Sequence, residues 1–346
     1  MTLLQAIQAV MQGQNLTREE SGAAIEEMLT GTAPASQIAA LLVALRMKGE
    51  TPDEIAGAAQ AMRARAVRVE VPLDRLIDTC GTGGDGAHTF NISTTSAFVA
   101  AAAGARVAKH GNRAASSKCG SADVLAALGA EVELSPKGVA ACIEEVGIGF
   151  LFAPAHHAAM RHVGPVRKEL GVRTLFNLLG PLANPAGVRR QVVGVPAPQF
   201  VLVLARTLGE LGAERAFVVH GHGGLDEIST AGPTMVAETR NGSVREMQIT
   251  PEELGVAPAP VAELRGGDAQ RNAELLLAVL RGEKGARRSA VLLNSAAAIA
   301  ASGLCETLRD GVRLAEQAID SGAALARVER FVQATKAHKA AQGAAS

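Results

Sequence analysis

The chain of 346 residues balances 34 Lys plus Arg against 34 Asp plus Glu, and that neutrality removes the electrostatic footprint of a nucleic-acid binder. An apolar fraction of 48% suits one large domain, or a large and a small one, around a substantial core. MTLLQAIQAVMQGQ at the N-terminus lacks the basic flank and cleavage site of a signal peptide, no run is long enough for a bilayer span, and Cys80, Cys119, Cys142 and Cys305 show no CxxC spacing. These features point to a cytoplasmic protein with reduced, buried thiols.

The first 66 residues read as helices alone. Thr17 with Glu20 forms a capping box, and Thr51, Pro52 and Glu54 form a second start signal with proline at the first helical position. Helices are expected near 2–12, 17–30, 36–47 and 52–65, with faces of Ile, Leu, Met and Ala suited to packing or dimerisation. From Leu73 the pattern changes to short apolar runs alternating with amphipathic stretches, the signature of a largely parallel sheet with crossover helices. Strands are expected at 74–79, 105–109, 148–152, 190–195 and 215–220, and helices at 94–103, 121–129, 136–146, 156–170 and 199–212. Asn241-Gly242 between TMVAETR and SVREMQI marks a hairpin. Pro258 and Pro260 mark a surface loop, 268–337 returns to helix, and KAHKAAQGAAS is expected to fray. The predicted fold class is α/β: a small all-helical N-terminal domain, 1–72, joined by helical segments from about 165–188, and a larger α/β domain, 73–346, with a mostly parallel central sheet flanked by helices.

The strand RLIDT runs directly into Gly81-Thr82-Gly83-Gly84-Asp85-Gly86, and a helix is expected to open near Ser93 or Thr94. Glycines admit a ligand close to the backbone, and a helix N-terminus offers unpaired N–H groups and a favourable dipole to an anion. Between Gly86 and Ala122 there is no carboxylate, while Arg106, Lys109, Arg113 and Lys118 supply positive charge. A local asymmetry of this kind in a neutral chain points to a phosphorylated small molecule. Gly81, Gly83 and Gly86 formally satisfy GxGxxG, yet the helix opens too late for a dinucleotide fold and no acid stands about 20 residues on to meet a ribose. No Gly-Lys-Ser/Thr follows, which excludes a Walker A loop.

Lys109, His110, Gly111, Asn112 and Arg113 are expected just past the second strand, either as a solvated basic loop or as a second wall of the crevice that strand ends make in a parallel sheet. RAFVVHG ends in HGHGGLDEIS, which puts Asp226 and Glu227 on another glycine-rich strand end. Two carboxylates with few other ligands suit magnesium held mostly by water and phosphate, whereas His220 and His222 are a thin zinc signal. In FLFAPAHHAAMRHVGPVRKELGVRTLFNLLGPLANP, His157 and Arg167 would share one face of a continuous helix, though Gly164-Pro165 threatens that continuity. Arg167 offers a planar fork matched to a carboxylate.

Taken together, DTCGTGGDG, FNIST, KHGNRA, SADVL, VRKELGVRTLFNLLGPLANP and GLDEIS closely resemble the anthranilate phosphoribosyltransferase family, over about residues 78–230 and in the same order. That resemblance implies transfer of phosphoribose from 5-phosphoribosyl 1-pyrophosphate (PRPP) to the amine of anthranilate, releasing pyrophosphate, in tryptophan biosynthesis. It implies that Gly81, Thr82, Gly83, Gly84, Asp85, Thr89, Asn91, Ser93, Thr94, Lys109 and Ser121 bind PRPP. Gly81, His110, Asn112, His157, Arg167 and Gly180 match anthranilate positions, and Ser93, Asp226 and Glu227 would hold Mg²⁺, two ions per subunit. Two departures touch the anthranilate side: His157-Ala158-Ala159-Met160 stands where the family often has His-Pro-Ala-Met, and His156 stands where it often has an aromatic or another polar residue. No strong general base or activated nucleophile is apparent, so catalysis is expected to rest on positioning and on Lys109 and Mg²⁺ stabilising the leaving pyrophosphate. The expected partners are the two substrates and a second copy, as a homodimer through the N-terminal helices, with neither nucleic acid nor membrane. The competing readings are a pyrimidine nucleoside phosphorylase and a non-catalytic nucleic-acid-binding relative of the same fold.

Overall fold

A computed structural model describes residues 1–114 and 118–344. Helices α1 (Leu3–Met11), α2 (Arg18–Thr30), α3 (Ala35–Lys48) and α4 (Pro52–Arg65) come first. Thr2, Thr17 and Thr51 cap α1, α2 and α4, each hydroxyl accepting from a first-turn N–H while the Gln or Glu at that position reaches back. The chain then alternates through β1 (Leu76–Gly81), α5 (Ile92–Ala102), β2 (Arg106–Gly111), α6 (Ser121–Ala127), α7 (Pro136–Val146) and β3 (Ile148–Phe152). A connection of short pieces follows: α8 (Ala153–His156), a 3₁₀ turn over Ala158–His162, α9 (Gly164–Leu170) and α10 (Phe176–Leu182). After β4 (Arg190–Gly194), α11 (Gln199–Glu210) and β5 (Arg215–His220) comes the hairpin β6 (Thr234–Arg240) and β7 (Ser243–Ile249). Helices α12 (Ala269–Leu280), α13 (Ala286–Ser302), α14 (Leu308–Asp320) and α15 (Ala323–Ala344) close the chain.

The seven strands form one sheet in the order β3-β2-β1-β4-β5-β6-β7, parallel from β3 through β5 and antiparallel thereafter. This is the expected α/β class with a mostly parallel sheet. Alternate residues of β5 enter two cores: Phe217 and Val219 join that of α5 and α13, and Ala216 and Val218 join that of α11 and the N-terminal helices. Val163, Val166, Leu175, Phe176 and Leu179, from α9, α10 and their flanks, share the latter core with α1 to α4. The chain steps from β1 to β2 and β3 on one side, then returns to place β4 on the other side of β1. The carboxyl ends of β1 and β4 therefore flank a topological switch point, where open α/β sheets bind ligands.

Three local expectations change. The helix expected over 156–170 is broken into α8, the 3₁₀ turn and α9, because Pro165 fits the first turn of a new helix and not the middle of an old one. The second strand runs on past 109 to Gly111, so His110 lies inside β2 with Lys109; the two are 7% and 2% exposed, and only Asn112 and Arg113 of that segment form an exposed loop. The C-terminal segment expected to fray continues as α15 to Ala344. It docks through Lys339 Nζ on the Glu133 carbonyl at 2.9 Å, His338 on Glu145 at 3.2 Å and Thr335 Oγ1 accepting from Glu131 N at 3.1 Å. Of the cysteines, Cys119 and Cys142 are buried and Cys80 and Cys305 half-buried.

Candidate active site

β1 and β2 pair in register only at Leu76–Arg106 and Ile77–Val107. Beyond that point side chains replace the ladder. Asp78, fully buried, accepts from His110 N at 3.1 Å and from Asn184 Nδ2 at 2.8 Å, and Asn184 Nδ2 also reaches the Ala108 carbonyl at 2.8 Å. Lys109 Nζ donates to the Thr79 carbonyl at 2.5 Å and lies 3.4 Å from Ser93 Oγ. Burial pushes the Asp78 carboxyl up and the Lys109 ammonium down from their usual ranges, and each opposes the other's shift by mutual attraction.

The glycine loop leaves β1 and runs to Asn91 at the start of α5. Gly83 and Gly84 hold φ of +69° and +84°, the left-handed region that glycine enters without steric cost. Thr82 Oγ1 and Thr94 Oγ1 are shielded from solvent and unpartnered among the described residues, an arrangement that polar atoms adopt where a ligand completes them. Asn91 is held from outside, its Oδ1 accepting from Asn272 Nδ2 at 2.9 Å and its Nδ2 near the Cys119 carbonyl at 3.4 Å. Thr89 bridges to Arg265. Ser121 opens α6 and donates to the Asn112 carbonyl at 3.3 Å. Residues 115–117, part of the stretch without carboxylates, lie outside the described residues.

The opposite wall comes from the turn after β5, pinned by Gly221 N on the Leu225 carbonyl at 2.8 Å. Asp226 Oδ2 accepts from Gly83 N at 2.9 Å, and Glu227 Oε1 accepts from Ser93 N at 3.1 Å. The two acids thus sit against the loop and the first turn of α5, far from them in sequence. Burial, then the neighbouring Asp85, push Asp226 up to about 7; burial, then Asp226, push Glu227 well above the usual carboxylate range. Crowded carboxylates with Lys109 as the nearby cation fit a divalent cation. Among the described residues no group of three or more His, Cys, Asp or Glu makes a metal shell. A site of two acids and the Ser93 hydroxyl is therefore one that leaves most positions to water and phosphate. His220 Nδ1 is 2.9 Å from the Val195 carbonyl and His222 is exposed, so the pair does not converge on a metal.

On the other side of Gly81 a cavity of about 570 Å³ opens, lined by Gly81, His110, Asn112, His157, Arg167 and Gly180 together with apolar Met62, Phe176 and Pro181. All six residues expected from the family motifs to meet anthranilate line this one cavity, although His157 and Arg167 arrive on different elements. The His110 and His157 rings lie 5.2 Å apart, and His110 Nδ1 is 3.1 Å from the Gly180 carbonyl. Burial lowers His110 to about 3 and His157 to about 4, so both imidazoles are neutral at ordinary pH. Arg167 lies 5.5 Å over the Phe176 ring, half-buried, with no ion pair among the described residues. It is a cation on a largely apolar cavity wall. His156 is turned away, its Nδ1 2.7 Å from the Val67 carbonyl.

Residues 73–325 match the glycosyl transferase family a/b domain, and 4–66 match the glycosyl transferase family helical bundle domain. The chain is 58% identical over 331 residues to the anthranilate phosphoribosyltransferase of Anaeromyxobacter sp. (strain K), covering 96% of this chain and 98% of that one. The chain belongs to the anthranilate phosphoribosyltransferase family. A crystal structure of the Thermus thermophilus anthranilate phosphoribosyltransferase superposes with TM-score 0.91 at 46% identity, over 96% of this chain and 99% of that one. The Saccharomyces cerevisiae enzyme of this family, in complex with PRPP and Mg, superposes with TM-score 0.88 at 29% identity, over 97% and 98%.

Several residues that shape the site have partners far away in the sequence. Asp78 and Asn184 fill the gap between β1 and β2 from positions 106 residues apart. Asn272 supports Asn91 across 181 residues. Gly194 ends β4 beside Gly81 and makes room for the Asp226 backbone, and Arg173 donates to the Gly83 carbonyl at 2.8 Å. The LANP run and the strand-ending glycine are visible in the sequence, but their partners are not.

Proposed function

We propose that the chain transfers the 5-phosphoribosyl group of PRPP to the amine of anthranilate, giving N-(5-phosphoribosyl)anthranilate and pyrophosphate in L-tryptophan biosynthesis, in the cytoplasm. One observation carries this reading: Gly81 divides an anion cradle walled by Asp226 and Glu227 from a largely apolar cavity holding the Arg167 guanidinium, which makes no ion pair among the described residues. A phosphorylated donor and an aromatic carboxylate would meet at that glycine. The assignments implied by the family motifs are kept: Gly81 to Asp85, Thr89, Asn91, Ser93, Thr94, Lys109 and Ser121 for PRPP, and Gly81, His110, Asn112, His157, Arg167 and Gly180 for anthranilate.

The largely apolar wall and the Arg167 fork orient the ring and carboxylate so that the amine lone pair faces the ribose carbon. The carbon–nitrogen bond forms as the bond from that carbon to pyrophosphate breaks, and the amine, made acidic by the new bond, then loses one proton to solvent water. A neutral aromatic amine needs no deprotonation before attack, in keeping with the lack of a strong base. Neutral His110 and His157 put no second cation beside Arg167. Lys109 lies where charge builds on the departing pyrophosphate. Two magnesium ions per subunit, held by Asp226, Glu227 and the Ser93 hydroxyl, would neutralise that charge further; the PRPP and Mg complex of the yeast relative supports the metal.

We assign residues 1–72, with the segment near 165–188, to a helical domain, and 73–346 to the phosphoribosyl-binding domain. Met47 at 82% exposure, Met11 at 74% and Leu4 at 52% lie on the packed pair α1 and α3, and support a homodimer through these helices. A monomeric mass by light scattering at micromolar concentration would overturn that pairing. No helix among the described residues is long and apolar enough to cross a membrane. The deciding assay follows loss of anthranilate fluorescence on adding PRPP, with and without Mg²⁺. Magnesium-dependent loss is expected; thymidine phosphorolysis in its place would favour the nucleoside phosphorylase reading.

A further inference from the structure

Arg173 stands on the connection between α9 and α10, six residues beyond Arg167, and reaches out of it to the glycine loop. Nη1 donates to the Gly83 carbonyl at 2.8 Å. A Cβ on Gly84 would lie 1.8 Å from that same nitrogen, so the contact requires glycine there. At the other end of the same residue, Gly83 N–H donates to Asp226 Oδ2 at 2.9 Å. Gly83 is gripped by a cation on its carbonyl and by an acid on its amide.

Peptide geometry turns this grip into a direction. In a trans peptide the C=O of one residue and the N–H of the next point opposite ways, and the chain holds no cis bonds among its described residues. Drawing the Gly83 oxygen toward Arg173 therefore aims the Gly84 N–H away from it. Two consecutive glycines at positive φ have little steric resistance to a flip of the peptide between them, so the tether is what selects one face. Arg173 is otherwise a poor stabilising device. It is half-buried, makes no ion pair among the described residues, and its Nη2 is shielded from solvent without a partner.

We propose that Arg173 is a positioning residue for the phosphoribosyl donor: it holds the Gly83–Gly84 peptide so that the Gly84 N–H is presented to the donor's pyrophosphate. The inference rests on the PRPP reading of this loop. It separates Arg173 from Arg167, which belongs to the other substrate although both lie on the same short connection.

Steady-state kinetics of Arg173→Ala and Arg173→Lys test it. Arg173→Ala is expected to raise the KM for PRPP about 10- to 100-fold, the span of one charge-assisted hydrogen bond, with the anthranilate KM unchanged. Arg173→Lys, which keeps one donor, is expected to fall between Arg173→Ala and wild type, and carries the test if the alanine variant does not fold. A cavity of about 210 Å³, lined by Arg46, Arg173, Thr174, Asn177 and Phe200, borders the guanidinium and gives a small cation entry. Guanidinium chloride at sub-denaturing concentration is therefore expected to lower the PRPP KM of Arg173→Ala, and sodium chloride at equal ionic strength is not. An unchanged PRPP KM, an equal rise in both KM values, or equal effects of the two salts would overturn the proposal. Wild-type turnover beside any of these results leaves the PRPP reading standing, whereas its absence removes that reading itself.

Discussion

Replacing Gly194 by alanine should disable the acidic wall without touching any group that contacts a substrate. Gly194 pairs with Gly81 at the ends of β4 and β1, and the Asp226 backbone crosses directly over it. An alanine Cβ would lie 1.5 Å from the Asp226 carbonyl oxygen, where ordinary contact begins at 3.4 Å, so that backbone must retreat by about 1.9 Å. No rotation of a side chain relieves a clash with backbone. The Asp226 bond to Gly83 N and the Glu227 bond to Ser93 N, at 2.9 and 3.1 Å, both depend on where this turn sits. Misplacement by about 1 Å can cost on the order of 100-fold in rate, so kcat/KM for PRPP is expected to fall at least about 100-fold. The overpacking itself should cost about 1–3 kcal/mol in stability. Anthranilate fluorescence decay across PRPP and MgCl₂ titrations, with a thermal melt as the folding control, measures all of this, and the magnesium midpoint should rise. Gly81→Ala is the comparison: its Cβ would meet the Asp226 carboxylate at 2.2 Å, and a carboxylate can turn aside, so the stability loss should be smaller. A folded Gly194→Ala with kcat/KM within about threefold of wild type would refute the reasoning, since such a change is worth well under 1 kcal/mol.

Arg167→Ala is expected to raise the anthranilate KM about 10- to 100-fold with the PRPP KM unchanged, while Lys109→Met should chiefly lower turnover; steady-state kinetics in both substrates that showed the same pattern for the two variants would contradict their separate roles. Asp78→Ala strands the His110 and Asn184 donors and leaves Lys109 without its buried counter-charge, at a cost of about 3–5 kcal/mol by urea unfolding; Asn184→Ala should be milder, and a neutral Asp78→Ala would show the gap to be wet. Stability should also fall on acidification. His110 and His157 titrate at about 3 and about 4 in the folded protein, against an ordinary value near 6.5. Between pH 6.5 and 4 the unfolded chain therefore binds protons that the native state refuses, and the contribution present above pH 6.5 is lost on the way down, by roughly 3 kcal/mol or more. Urea midpoints from pH 7 to 4.5 should slope accordingly, with part of the slope removed in His157→Gln; an identical slope in that variant would discount the buried imidazoles.

Much of this architecture is legible because its signals are local. Apolar runs locate β1 to β5 within a residue or two, capping boxes locate α2 and α4, and Asn241-Gly242 locates the hairpin. The glycine loop, the Asp226-Glu227 pair and Arg167 are legible as residue types whose chemistry needs few neighbours. His110 looks from sequence like a residue past the end of its strand, because a basic residue normally closes an apolar run; inside β2 it and Lys109 are accommodated by Asp78 and Thr79, about 30 residues back. The end of α15 is hidden for a similar reason, since the groups that hold it lie near residues 131–145. Gly194 and Arg173 show the limit most clearly. Each meets backbone that is distant in sequence, the Asp226 carbonyl for Gly194 and the Gly83 carbonyl for Arg173, and sequence spacing does not disclose that meeting.

The side chains that part β1 from β2 act as a doorstop. An ordinary parallel sheet would zip these strands together as far as their ends, and any molecule seeking the space between would first have to break backbone pairing. Here Asp78, Asn184 and Lys109 occupy the seam permanently and satisfy the amides and carbonyls that zipping would have claimed. The mouth is open before anything arrives. The seam is held by side chains where a ladder would otherwise close it, so filling the space beside it breaks no backbone pairing.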